Sequence, residues 1–140
     1  MRTSQFVDTI TYFTFIVGIA RAGHIVFPIS PRNSAAAVAH LIRGANISHI
    51  LVGAEKILEQ LANESLELLQ SVEKPSLHPM PTFDDIFRCK EEFVPLSLRR
   101  PNIHDPGVIL HSSGSTAFPK PILFSHYRLM LIAATPCASS

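Results

Sequence analysis

Apolar and polar positions follow a helical rhythm, broken by short apolar runs, along the first half of the chain. Thr9 to Ala22 is apolar nearly all round. Phe6, Ile10, Phe13 and Val17 share one stripe, while Tyr12, Phe15, Ile16 and Ile19 fill the other sides. Such a pattern predicts a helix suited to the inside of a large domain, with Gly23 as its C-cap. His24 to Phe27 reads as a short buried strand, turned by Pro28 and Pro31. Val38, Leu41, Ile42 and Ala45 recur at the spacing of one helix face. Asn33 or Ser34 can cap that helix, and Gly44 is its expected stop. A strand is predicted over His49–Val52 and a third helix over Ala54–Val72. Ile57, Leu58, Leu61, Leu68 and Val72 form its expected buried side, with Glu55, Glu59, Glu64 and Glu67 solvated. This order predicts an α/β fold, a mostly parallel sheet with flanking helices. It also predicts that the strands at His24–Phe27 and His49–Val52 are neighbours.

Residues 73–106 break the rhythm. Pro75, Pro79, Pro81, Pro95, Pro101 and Pro106 lie among mixed charges. A surface excursion is expected, with one helical piece near Phe83 to Phe87. Residues 107–135 then predict strand, loop, strand and helix. The apolar runs Val108-Ile109-Leu110 and Ile122-Leu123-Phe124 read as buried strands. The second strand runs over Pro121 to Ser125, and Tyr127 to Ala134 is the closing helix. The expected divisions of 1–140 are therefore 1–72, 73–106 and 107–135.

Composition narrows the function classes. A chain of 140 residues is one domain or a piece of a larger one. Its hydrophobic content, 46%, is high for that size, as in a fragment of a larger fold. The net charge is +1 without a basic stripe, which excludes a nucleic-acid surface. Cys89 and Cys137 have no metal or redox spacing, so a reducing, cytoplasmic setting is expected. The apolar run Ile10 to Ala20 falls short of the ~20 residues of a membrane span. It also lacks the charged start and cleavage site of a signal peptide. The histidines have no metal-binding spacing. Asp84-Asp85 and Glu91-Glu92 are adjacent, and adjacent residues do not face one another on a helix. No catalytic carboxylate pair and no metal site are expected.

The chemistry concentrates in Val108 to His126, VILHSSGSTAFPKPILFSH. Between the two apolar runs lie Ser112, Ser113, Gly114, Ser115, Thr116 and Lys120. Hydroxyls and backbone N–H groups in such a loop can wrap an anion, and Gly114 allows close approach of the main chain. Lys120 adds a mobile positive charge suited to phosphate. A Walker A loop is excluded, because Lys120 sits between Pro119 and Pro121 and cannot open a helix. A nucleophile elbow is excluded too, since neither Ser112 nor Ser113 has glycine two residues before it.

Ser112-Ser113-Gly114-Ser115-Thr116-Ala117-Phe118-Pro119-Lys120 resembles the phosphate-binding loop of the adenylate-forming (AMP-binding, acyl-CoA synthetase-like) superfamily. One position departs: Ala117 stands where most of the superfamily has glycine. His111, Pro121 and Ser125-His126 look most like the fungal branch, the adenylate-forming reductases similar to aminoadipate reductase. GIARAGHIVFPISPRNSAAAVAHLI adds a second, less specific likeness upstream. His126 stands where the family usually has a histidine; a helix-start histidine bonding its own backbone is the competing reading.

The resemblance implies a partial N-terminal domain of the acetyl-CoA synthetase-like fold, one that forms an acyl-adenylate from ATP and a carboxylic acid. It implies that Ser112, Ser113, Gly114, Ser115, Thr116 and Lys120 hold ATP phosphates, with Mg²⁺ bound outside this chain. The family's ribose-binding Asp, Mg²⁺-contacting acid and C-terminal catalytic lysine all lie beyond the region of likeness. The expected partners are the remainder of the adenylation domain and, left open, carrier and reductase domains. The expectation is thus an enzyme segment inactive alone. The alternative is a non-enzymatic truncated α/β product that at most binds phosphate or a protein.

Overall fold

A computed structural model describes residues 9–69, 74–90, 102–113 and 118–134. The elements run α1 (Thr9–Arg21), α2 (Ala35–Ala45), β1 (His49–Val52), α3 (Lys56–Glu67), β2 (Ser76–Pro79), α4 (Phe83–Phe87), β3 (Pro106–His111), β4 (Pro121–Ser125) and α5 (His126–Ala134). They sort into two compact units. One comprises Met1–Val26, Thr82–Val108 and Phe124–Ser140, the other Phe27–Pro81 and Ile109–Leu123. The α/β class with parallel pairing holds: β1 pairs parallel with β2, and Val26 forms a parallel bridge to Val108.

The second unit carries a core of Val38, Ala39, Ile42 and Leu69, with Ile29, Ile47, Ile50, Leu61 and Leu66 packed against it. The apolar face of α2 lies inward, with Leu41 and Ile42 fully buried. Burying a side chain of that size contributes about 1.5–3 kcal/mol. Ser34 caps α2 as expected, its Oγ accepting from Ala37 N–H at 3.3 Å. The stop differs from expectation. Gly44 stays inside the helix, and Asn46 ends it at φ 51°, a left-handed conformation that Asn tolerates.

The buried face of α3 differs in part: Leu61 packs against the core as expected. Ala62 and Ser65 are the buried positions of the helix, whereas Ile57 is 74% exposed and Leu68 is exposed. Small residues sit where α3 packs closely. Ser65 tolerates burial because its hydroxyl donates to Leu61 O at 2.6 Å. The helix ends at Glu67 rather than Val72, a residue outside those described.

Residues 73–106 hold a strand that was not expected. Ser76 N–H donates to Ser48 O at 3.0 Å and Met80 N–H to Val52 O at 2.7 Å. In a parallel ladder alternate residues point their N–H groups to the same neighbour. Pro79, one residue before Met80, therefore has its missing N–H on the side away from β1, where an edge strand tolerates proline. The neighbour of β1 is thus β2, not His24–Phe27, and only Val26 of that segment is bridged.

In the first unit, α1 ends as expected. Gly23 N–H donates to Ala20 O at 3.1 Å and His24 N–H to Ile19 O at 3.2 Å. With Gly23 at φ 82°, this is the paired C-terminal lock of a Schellman motif. Its apolar sides are largely uncovered: Phe13 is 65% exposed and Val17 is exposed, while Phe15 is buried. The short helix α4 appears where predicted, closed by a capping box between Thr82 and Asp85. Asp84 pairs with Arg88 at 3.4 Å. Both carboxylates therefore have local structural roles.

The strands β3 and β4 pair with each other as a two-stranded sheet. They are not the buried strands expected. Leu110 and Ile122 are exposed, and Leu123 is 49% exposed. Two strands alone cannot cover both faces of a sheet.

Candidate functional site

The loop between β3 and β4 closes on itself. Ser112 N–H donates to Lys120 O at 3.1 Å, and Lys120 N–H donates to Ser112 Oγ at 3.0 Å. These reciprocal bonds bring the first and last candidate residues together. Gly114, Ser115, Thr116 and Ala117 lie outside the described residues. Ser113 and Lys120 are exposed, and Ser112 is half-buried. Among the described residues, Lys120 forms no ion pair. Its exposed charge can meet an anion.

His111 anchors the loop root. Ser30 N–H donates to His111 Nε2 at 3.2 Å. An accepting Nε2 carries no hydrogen, so the ring hydrogen sits on Nδ1 and is donated to Ser112 O at 3.0 Å. One imidazole thereby ties the Pro28–Pro31 turn to the start of the loop. Phe27 meets the same ring edge-on, with centroids 6.2 Å apart. At the far end, Phe118 stacks on His40 of α2 at 5.3 Å and an interplanar angle of 21°. His40 and Ser30 are residues that sequence reasoning missed. Their contacts reach across long stretches of chain, and no local pattern signals them.

Beside the loop opens a cleft of about 550 Å³, lined by Arg32, Asn33, Ser34, Ala37, Ser113, Phe118 and Pro119. The N-terminus of α2 forms one wall and the loop the other. Arg32, Asn33 and the hydroxyls of Ser34 and Ser113 bring polar groups to the cleft, beside the apolar Ala37, Phe118 and Pro119. His104 lies beside Tyr127, with ring centroids 5.7 Å apart. The backbone of His126 donates to Asp105 O at 3.2 Å. Among the described residues no group of three His, Cys, Asp or Glu could hold a metal ion, and no helix is long and apolar enough to cross a membrane.

The family model for AMP-binding enzymes matches residues 7–139. The chain belongs to the AMP-binding enzyme family. Within it, this AMP-binding chain resembles the fungal adenylate-forming reductases. It is 40% identical over 134 residues to adenylate-forming reductase Nps10 of Heterobasidion annosum, covering 92% of this chain and 12% of that protein. It is 40% identical over 130 residues to adenylate-forming reductase Nps11 of Serpula lacrymans var. lacrymans, covering 85% of this chain and 11% of that protein. The chain therefore spans about one-eighth of the length of these relatives. The fold is similar to the luciferase-like enzyme of the nonluminescent Zophobas morio mealworm. The TM-score is 0.65 at 20% identity, over 95% of this chain and 31% of that one.

Proposed function

We propose that this AMP-binding chain supplies the phosphate loop of a carboxylate-adenylating domain. In that reaction a carboxylate oxygen bonds to the α-phosphorus of ATP, the bond to the bridging oxygen breaks, and pyrophosphate leaves. Ser112, Ser113, Gly114, Ser115, Thr116 and Lys120 hold the β- and γ-phosphates. Such chemistry rests on positioning and charge neutralisation. The observation that carries the reading is the closure of the loop by Ser112 and Lys120, with the lysine charge exposed and unpaired among the described residues. Mg²⁺, when bound, neutralises phosphate charge. We assign its protein ligand to a part of the domain beyond this chain, as we do the carboxylic-acid pocket. The setting we propose is the cytoplasm, with the rest of the adenylation domain as partner and carrier and reductase domains as further candidates.

This chain alone is proposed to be inactive. The exposed apolar faces of β3, β4, α1 and α5 support that reading, since they lack the covering layers of a finished fold. Pyrophosphate exchange into ATP with a panel of carboxylic acids should stay at background; clear turnover with any acid overturns the inactivity. Lys120→Ala in an adenylation domain containing this chain tests the loop. Charged hydrogen bonds contribute about 1.5–3 kcal/mol each. The loss in kcat/KM for ATP should then be roughly 10–100-fold, at ~1.4 kcal/mol per tenfold. An unchanged kcat/KM would reduce the loop to an ordinary turn.

A further inference from the structure

The parallel pair β1 and β2 carries a feature that adenylation chemistry does not use. His49 lies opposite Ser76, and Leu51 opposite His78, so both histidines stand on one face of the pair, two residues apart along it. Both are exposed. His49 Nδ1 and His78 Nε2 lie 3.2 Å apart, with ring centroids 5.4 Å apart. The backbone holds them in register, because Ser76 N–H bonds Ser48 O and Met80 N–H bonds Val52 O on either side. Among the described residues no other two histidines have their rings in contact.

We propose that His49 and His78 form a two-imidazole chelate for a divalent d-block ion of the Cu²⁺, Ni²⁺ and Zn²⁺ class. Imidazole nitrogens bound to one ion lie 2.0–2.1 Å from it. At coordination angles of about 90–109°, two such nitrogens are about 2.8–3.4 Å apart. The separation of 3.2 Å falls on that edge of a coordination polyhedron. In the free pair one ring nitrogen donates a hydrogen to the other. On binding, the donor ring takes its other tautomer, its hydrogen moves to the opposite ring nitrogen, and both facing lone pairs turn to the metal. No net proton is released from two neutral rings. With two protein ligands, the remaining positions are left for water or a small chelator. Imidazole suits these ions, and the affinity order peaks at Cu²⁺.

The test is a titration of the full chain with Cu²⁺–nitrilotriacetate, whose chelator leaves two positions for imidazole, followed by electron paramagnetic resonance. The wild-type chain should bind one equivalent with coupling from two imidazole nitrogens. His49→Ala and His78→Ala should each weaken binding by about tenfold or more, through loss of the second, effectively intramolecular ligand. Each should leave coupling from one imidazole nitrogen beside the chelator's own amine nitrogen, while His24→Ala changes nothing. Because both side chains are exposed, circular dichroism of the metal-free variants should match wild type. Coupling from a single imidazole nitrogen in the wild-type chain, beside the chelator's amine nitrogen, overturns the proposal without recourse to any variant. So does equal affinity in the His49→Ala/His78→Ala double variant.

Discussion

Helices α2 and α3 on one side, and α1 and α5 on the other, are equally regular yet differ in what covers them. The first pair has one apolar face and one polar face each: Val38 and Ile42 of α2 and Leu61 and Leu66 of α3 meet in a core with Leu69, just beyond α3. The second pair is apolar on several sides. Met130 is 61% and Ile132 58% exposed on α5, and Phe13 and Val17 are exposed on α1. An amphipathic helix can be satisfied by a single neighbour, whereas a helix apolar all round needs neighbours on every side. The chain spans about one-eighth of the length of the fungal relatives it matches.

The largest expected contrast is in stability. Ile42→Ala should destabilise the chain by about 2–5 kcal/mol, because a buried side chain leaves a cavity. Ile132→Ala should stay within about 0.5 kcal/mol. Urea unfolding followed by circular dichroism measures both, and equal effects would erase the distinction between covered and uncovered helices.

Association comes next. Exposed apolar faces beyond a few hundred Å² mark interaction surfaces. The isolated chain should scatter light as a species larger than its 15.4 kDa monomer. Phe13→Glu together with Met130→Lys should reduce that mass. A monodisperse wild-type monomer at high concentration would show that these faces are tolerated by water.

Two glycines, one capping α1 and one inside α2, sharpen the comparison further. Gly23, at φ 82°, has open space around it but a backbone that side chains rarely adopt. Gly23→Ala should therefore cost about 1–2 kcal/mol. Gly44 lies inside α2, where an added Cβ would sit 3.4 Å from Pro121 Cγ, at the tight limit of ordinary contact. Gly44→Ala should be neutral or stabilise by up to about 1 kcal/mol through better helix propensity. Thermal melts of the two variants should move in opposite directions or leave Gly44→Ala unmoved; a large loss in Gly44→Ala would show that Pro121 cannot give way.

The smallest effect is at α4. The Thr82 hydroxyl, and then its backbone N–H, hold the Asp85 carboxyl below its usual value. A lowered folded value means that the cap contributes fully above the unfolded carboxylate range, about 4. The contribution is lost as pH falls through the lower, folded value. Chemical-shift titration of the Thr82 and Asp85 amides should show α4 fraying only in that acid range. A midpoint at or above the ordinary carboxylate value would remove the cap.

Local pattern determined much of this protein. The helices at Thr9–Arg21 and Ala35–Ala45, the Ser34 and Gly23 caps, the strand His49–Val52 and the short helix Phe83–Phe87 were legible because propensity, capping and periodicity act within a few residues. The family was legible as well, in nine consecutive residues from Ser112 to Lys120. Tertiary structure alone decided the rest. Ser76–Pro79 became a strand because β1 offered its edge, with the missing N–H of Pro79 turned away. The inward face of α3 kept Leu61 against the core but centred on Ala62 and Ser65, because close packing favours small residues over larger ones. His111 took its tautomer from Ser30, and Phe118 its place from His40, across chain separations that no local pattern encodes. The burial expected of β3 and β4 failed for the same reason: apolarity records what a segment needs against it, and only the folded chain decides whether that surface is supplied.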